Sequence, residues 1–222
     1  MIGIIDSGIG GRGIEKEIRK LLPEAKIIYF ADSQNFPYGT KPVRVLHRIL
    51  EKNIAFLIQK GVQIIVLACN SATVSSVEYL RRKFKVPIVG VVPAIKPAAR
   101  MTKTKKIAIF STPITSNSQA QKKLIRQYCR GIDVFKIPFR NLARLIEENK
   151  KSAFTSEVRA KWLKYQDKNI DTIVLGCTHY TLIKKEIQEI VGPKVKLIDS
   201  NLAVARRVKK VYDKLRKEKN GR

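Results

Sequence analysis

Histidine, cysteine and acidic side chains are all scarce in this 222-residue chain. With two histidines, three cysteines and no Cys-x-x-Cys pair, a zinc site would have to be assembled from scattered residues, and no metal is expected. An odd cysteine count without short-range spacing also excludes a disulfide-stapled scaffold. No charge-poor apolar run reaches membrane-spanning length, and stretches such as residues 64–69 and 173–175 are strand-sized. The opening residues, MIGIIDSGIGG, have neither a basic leader nor a small-residue cleavage site. No signal peptide is read there, and a soluble cytoplasmic protein without membrane contact is expected.

Acids number 18 against 45 Lys and Arg, so the formal net charge is +27. Clustered cations release counterions from a phosphate backbone, which makes nucleic acid one partner to weigh. The other reading is a solvated basic surface. Basic pairs are spread over helices (Arg19 and Lys20, Lys83 and Lys85, Lys184 and Lys185), and the densest region, 206–222, reads as an amphipathic helix. No zinc-finger, helix-turn-helix or RNA-recognition signature accompanies the charge. The solvated surface is the preferred reading, since charge alone argues association rather than fold.

Strand and helix patterns alternate throughout. Strands are expected at 2–5, 26–31, 62–68, 87–91, 106–110, 132–137, 171–175 and 194–198, with helices between them, one at 72–84, except over 92–105, where no element is read, and a final helix after the last. That order implies parallel sheets covered by helices. An internal echo sharpens it: GVQIIVLACNSAT (61–73) matches NIDTIVLGCTHYT (169–181) in pattern, and IDSG (5–8) echoes IDSN (198–201). Two related α/β domains explain both echoes. Cys69 and Cys177 would then end matching strands across one cleft, where open parallel sheets bind ligands.

Inverting an amino-acid α-carbon needs a base on each face, because the proton leaves one side and returns on the other. Two cysteines can supply one thiolate and one thiol. A thiol near its ordinary pKa of roughly 8.5 is mostly protonated at neutral pH, and a helix N-terminus lowers that value. Both cysteines are expected to precede helices. Asn70 and Ser71 follow Cys69, Thr178 and His179 follow Cys177, and Asp6 and Ser7 end the first strand. They offer donors for carboxylates, with Asp6 available to an ammonium group and His179 as a proton relay beside Cys177. A competing motif, the glycine-rich turn 8–13 with Asp32 ending the second strand, formally matches a dinucleotide-binding fingerprint. It leaves the paired cysteines and the mirrored second half unexplained.

DSGIGG (6–11), PYGTK (37–41), ACNSAT (68–73), the spaced hydroxyls of STPITSNS (111–118), LGCTHY (175–180) and LIDS (197–200) occur in one order along the chain. In this the sequence resembles the glutamate racemases of the aspartate/glutamate racemase superfamily, over nearly its whole length. The resemblance implies two pseudo-symmetric, flavodoxin-like parallel-sheet domains with the active site in the cleft between them. The first would cover 1–94 and take back the helix at 200–222, and the second 95–199. It implies cofactor-independent interconversion of L- and D-glutamate, with D-glutamate going to peptidoglycan synthesis, and a homodimer is expected. Cys69 and Cys177 would be the acid–bases, supported by Asp6 and His179, with Glu147 as a further acid near the second. Ser7, Pro37, Tyr38, Gly39, Asn70, Ser71, Thr112, Thr115 and Thr178, together with Asp6 and His179, would line the glutamate pocket. The alternatives are a racemase for another acidic amino acid, or a basic nucleic-acid-binding protein with lost or secondary racemase activity. Some positions depart from the family pattern: Arg12-Gly13 replaces an apolar-threonine pair, Thr181 a proline and Gln121 a tyrosine. The stretch before Glu147 is atypical, and the chain stops after its basic helix where the family has a further tail.

Overall fold

The computed structural model describes residues 1–220. In chain order the elements are β1 (Ile2–Asp6), α1 (Arg12–Leu21), β2 (Ile27–Ala31), α2 (Val43–Gln59), β3 (Ile64–Leu67), α3 (Asn70–Lys83), β4 (Ile88–Gly90) and α4 (Ile95–Met101). There follow β5 (Lys106–Ser111), α5 (Pro113–Asn117), α6 (Gln119–Tyr128), β6 (Asp133–Pro138), α7 (Leu142–Glu147), α8 (Lys151–Trp162), β7 (Thr172–Gly176), α9 (Lys184–Val191), β8 (Lys196–Ile198) and α10 (Asn201–Asn220). The chain divides into two compact units, one of Met1–Val91 plus the segment from Ser200 onward, the other of Val92–Asp199. The last two residues of the basic stretch 206–222 lie outside the described residues.

Each unit holds a four-stranded parallel sheet, ordered β2-β1-β3-β4 in the first and β6-β5-β7-β8 in the second. The repeated order makes β1 the counterpart of β5, and β3 that of β7. This is the expected fold class, two parallel-sheet α/β units. Every residue of β1, β3 and β7 is buried, as their continuous apolar runs require of strands covered on both faces.

Alternation along the strands sends side chains to two layers in the first unit. Ile2, Ile4, Ile64 and Val66 meet Ile14 and Ile18 of α1 and Val204, Ala205 and Val208 of α10. Ile5, Ile65 and Leu67 meet Leu46, Leu50, Ile54 and Leu57 of α2 and Leu80 of α3. In the second unit Ile107, Ile109 and Val174 pack with Ile95 and Ala98 of α4. Cys129 is part of this layer, and burial pushes its thiol pKa up. That is the ordinary fate of a cysteine used as a small apolar side chain.

The sequence echo has a backbone counterpart. Its first positions, Gly61 and Asn169, both take the left-handed conformation, at φ 84° and φ 55°. That conformation suits Gly and Asn and ends the preceding helical turn. Differences from the sequence reading are local. The sequence pattern leaves 92–105 without an element, yet α4 forms there, and α3 begins directly at Asn70.

Candidate active site

In parallel sheets, ligand sites collect at the carboxyl ends of the strands. In the first unit those ends bring together Asp6, Ser7, Cys69 and Asn70, all buried. Asp6 Oδ1 accepts hydrogen bonds from the Ser7 hydroxyl at 3.3 Å and the Gly8 amide at 3.1 Å. The glycine turn that makes this possible is tightly packed. A Cβ on Gly11 would lie 2.8 Å from the Ala68 Cβ and 3.0 Å from the Tyr29 hydroxyl, which itself donates to the Gly8 carbonyl at 2.8 Å. Burial, then the Asp6 charge, pushes the Tyr29 phenol pKa up, so it remains a neutral donor.

Cys69 is the N-cap residue of the 14-residue α3, in extended conformation, with Asn70 and Ser71 in the first turn. The helix amides therefore point toward its thiol end and favour negative charge there. The Asn70 side-chain nitrogen is buried and has no hydrogen-bond partner among the described residues. An orphaned buried amide donor is costly unless a ligand or water accepts from it.

Pro37 follows a cis peptide bond, and Tyr38 and Gly39 lie in a short 3-10 turn, Tyr38–Thr40. Tyr38 is buried, its hydroxyl donating to Asp32 Oδ2 at 2.6 Å. Asn53 of α2 donates to the same oxygen at 2.9 Å, and Asn35 donates to Oδ1 at 2.9 Å. Burial and the Asp32 carboxylate push the Tyr38 phenol pKa up, with smaller contributions from Cys69 and Asp6. Asp32 is thus consumed in holding the 37–39 turn. A dinucleotide site needs this carboxylate turned toward a ribose, so the competing fingerprint loses its acidic partner. The positioning roles of Asp32 and Asn53 escape sequence reasoning. The only signal was an Asp at a strand end, and its partner on α2 is 21 residues away.

In the second unit, Cys177 directly follows β7, and Cys177, Thr178 and His179 are buried. The expected helix behind this cysteine is not there. His179–Thr181 forms a single 3-10 turn and α9 starts only at Lys184. The helix-dipole expectation therefore holds for Cys69 alone, since a three-residue turn sums few peptide dipoles. What stands beside Cys177 instead is an acid–imidazole pair: Glu147, the last residue of α7, places Oε2 2.6 Å from His179 Nε2. Thr112 caps α5, accepting from the Thr115 amide at 3.3 Å while its hydroxyl donates to Thr115 Oγ1 at 3.2 Å. Buried beside this turn in sequence are Ser111 and Gln121, whose side-chain polar atoms have no partner among the described residues. Burial, with the Cys177 charge next, pushes the Tyr180 phenol pKa well up. Among the described residues no group of three or more His, Cys, Asp and Glu is arranged to hold a metal ion. No described helix is long and apolar enough to cross a membrane.

The geometry agrees with what the chain resembles. Residues 12–208 match the family described as Asp/Glu/Hydantoin racemase. A protein of Clostridium botulinum (strain 657 / Type Ba4) named glutamate racemase is 37% identical over 94% of this chain and 82% of its own length. One of Herpetosiphon aurantiacus with the same name is 38% identical over 95% and 84%. Among solved structures, Escherichia coli glutamate racemase in complex with L-glutamate and activator UDP-MurNAc-ala superimposes with a TM-score of 0.87 at 32% identity, over 93% of this chain and 80% of that one. Glutamate racemase from Aquifex pyrophilus gives 0.76 at 37% identity, over 93% and 82%. The family match over most of the chain and the likeness to these relatives show that the chain belongs to the Asp/Glu/Hydantoin racemase family.

Proposed function

We propose that the protein is a glutamate racemase that interconverts L- and D-glutamate without a cofactor, Cys69 serving one face of the α-carbon and Cys177 the other. The observation that carries this reading is the matched placement of the two thiols. Each lies just past the carboxyl end of a corresponding central strand, Cys69 two residues after β3 and Cys177 one residue after β7, in a sheet of the same strand order. One thiolate takes the α-proton while the opposite thiol delivers its own, and the roles exchange in the reverse direction. Asp6, with Ser7, supports Cys69, while His179, held by Glu147, supports Cys177. Asn70, Ser71, Thr112, Thr115 and Thr178 offer donors to the two carboxylates, and the 37–39 turn lines the glutamate pocket. The unpaired Asn70 amide supports this assignment, because a carboxylate oxygen is the acceptor it lacks.

D-Glutamate made this way would serve peptidoglycan synthesis, a role supported by the UDP-MurNAc-ala bound as activator in the Escherichia coli relative. A homodimer in the cytoplasm belongs to the same reading. Purified protein assayed on a chiral column with no added pyridoxal phosphate should convert either enantiomer to the racemate. A substrate panel separates glutamate from other acidic amino acids. Cys69→Ser and Cys177→Ser should each lower turnover by roughly 10²–10⁴-fold, the usual value of a positioned acid–base. Wild-type α-proton exchange on both enantiomers in either variant would refute the two-thiol scheme.

A further inference from the structure

The chemistry above leaves the high positive charge unused. A dense local excess of it gathers on one feature of the first unit, a groove of about 1070 Å³ between α10 and the segment leading into β4. Seven cations line it against two carboxylates. Three of them, Arg206, Lys210 and Lys217, share a stripe of α10 by helical spacing, and all three are exposed. Lys85 stands on the opposite wall. Lys209 is paired with Asp213 at 2.9 Å, but among the described residues no carboxylate lies within ion-pair distance of Lys85, Arg206, Lys210 or Lys217. The groove is also remote from the chemistry: Lys85 and Pro87 precede the amino end of β4, while Asp6 and Cys69 are at carboxyl ends.

We infer that this groove binds the phosphate backbone of duplex nucleic acid, without reading its sequence. The stripe from Arg206 to Lys217 spans roughly 16 Å at the helical rise. Over that length a duplex presents about five phosphates per strand. The lining holds no aromatic ring on which unpaired bases would stack and no amide to read a base edge. An anionic membrane fits less well. A helix that lies in a lipid surface inserts its apolar face, and the apolar face of α10, Val204, Ala205 and Val208, is already buried against the sheet and α1.

The test is fluorescence anisotropy of a short, labelled, mixed-sequence DNA duplex titrated with the full chain between about 50 and 200 mM salt. The log of the binding constant should fall linearly with the log of salt. R206E/K210E/K217E should bind at least tenfold more weakly and flatten the salt slope by about three, one per lost phosphate contact. K122E/K123E/R126E on α6, at residues that do not line the groove, makes the same change in net charge and should leave the slope unaltered. Should the triple reversal fail to fold, Arg206→Gln and Lys217→Gln singly should each flatten the slope by about one. Racemase activity of every variant should match the parent. Equal losses from the α6 and α10 variants, no binding by the parent, or binding only to phosphatidylglycerol vesicles would overturn the inference.

Discussion

Glu147 Oε2 and His179 Nε2 stand 2.6 Å apart, joined across 32 residues of chain. A carboxylate only accepts, so Nε2 holds a proton and the ring orientation beside Cys177 is fixed by the pair. Glu147→Gln should therefore reduce kcat about 100-fold, the lower end of the range for a positioned acid–base, while KM changes little. At an equilibrium constant of one, kcat/KM must fall by the same factor for both enantiomers, so with KM little changed the loss should be equal in the two directions. Initial rates in both directions check this, and an unchanged kcat would remove Glu147 from the relay.

Asn70→Ala separates binding from folding. Its side-chain nitrogen has no protein partner to lose among the described residues, so stability in urea should change by less than about 1 kcal/mol, far below the cost of breaking a satisfied buried network. A hydrogen bond to a charged carboxylate is worth about 1.5–3 kcal/mol, so KM for glutamate should rise about 10–150-fold. A stability loss with unchanged KM would make Asn70 structural.

Asp32→Ala should behave in the opposite way. Removing the carboxylate orphans donors on Tyr38 and Asn35 and leaves Asn53 only its bond to the Tyr38 hydroxyl, costing roughly 1–3 kcal/mol for a buried unsatisfied donor. KM should rise as well, because the 37–39 turn loses its anchor, and Tyr38→Phe should reproduce only part of both effects. Urea midpoints and KM measured side by side decide it.

Glu15 predicts an acid-sensitive element. Burial would raise its carboxyl, but hydrogen bonds from Arg12 at 2.6 Å and Arg19 at 2.7 Å outweigh that and hold it below its ordinary value of 4.5. With the folded pKa below the unfolded one, the stabilisation is complete above 4.5 and is lost as pH falls through the folded value. Both arginines are exposed, so the contribution is about 0.5–1 kcal/mol. Glu15→Gln should lower Tm at neutral pH and converge with the parent in acid.

What could be read in advance was what depends on neighbouring residues. The Ile64–Leu67 strand followed by Cys69, and Thr172–Gly176 followed by Cys177, appear in the sequence as one repeated pattern, because strand, left-handed turn and cysteine are contiguous. The links made by tertiary packing left no such trace. Asp32 meets Asn53 only because α2 crosses the sheet, so its acid looks like a nucleotide ligand until its partners are placed. The segment after Cys177 has the apolar spacing of a helix, yet the chain turns tightly through His179–Thr181 first, with Tyr180 buried in the core. Packing of that ring, which no periodicity records, outweighs helical continuation.

The most direct test of the two-thiol account is the first turnover in heavy water. L-Glutamate incubated with the protein and analysed at low conversion should give D-glutamate carrying solvent deuterium at the α-carbon, while recovered L-glutamate keeps its proton. D-Glutamate that retains the substrate's own proton would mean a single group moved it from face to face, and would contradict the account.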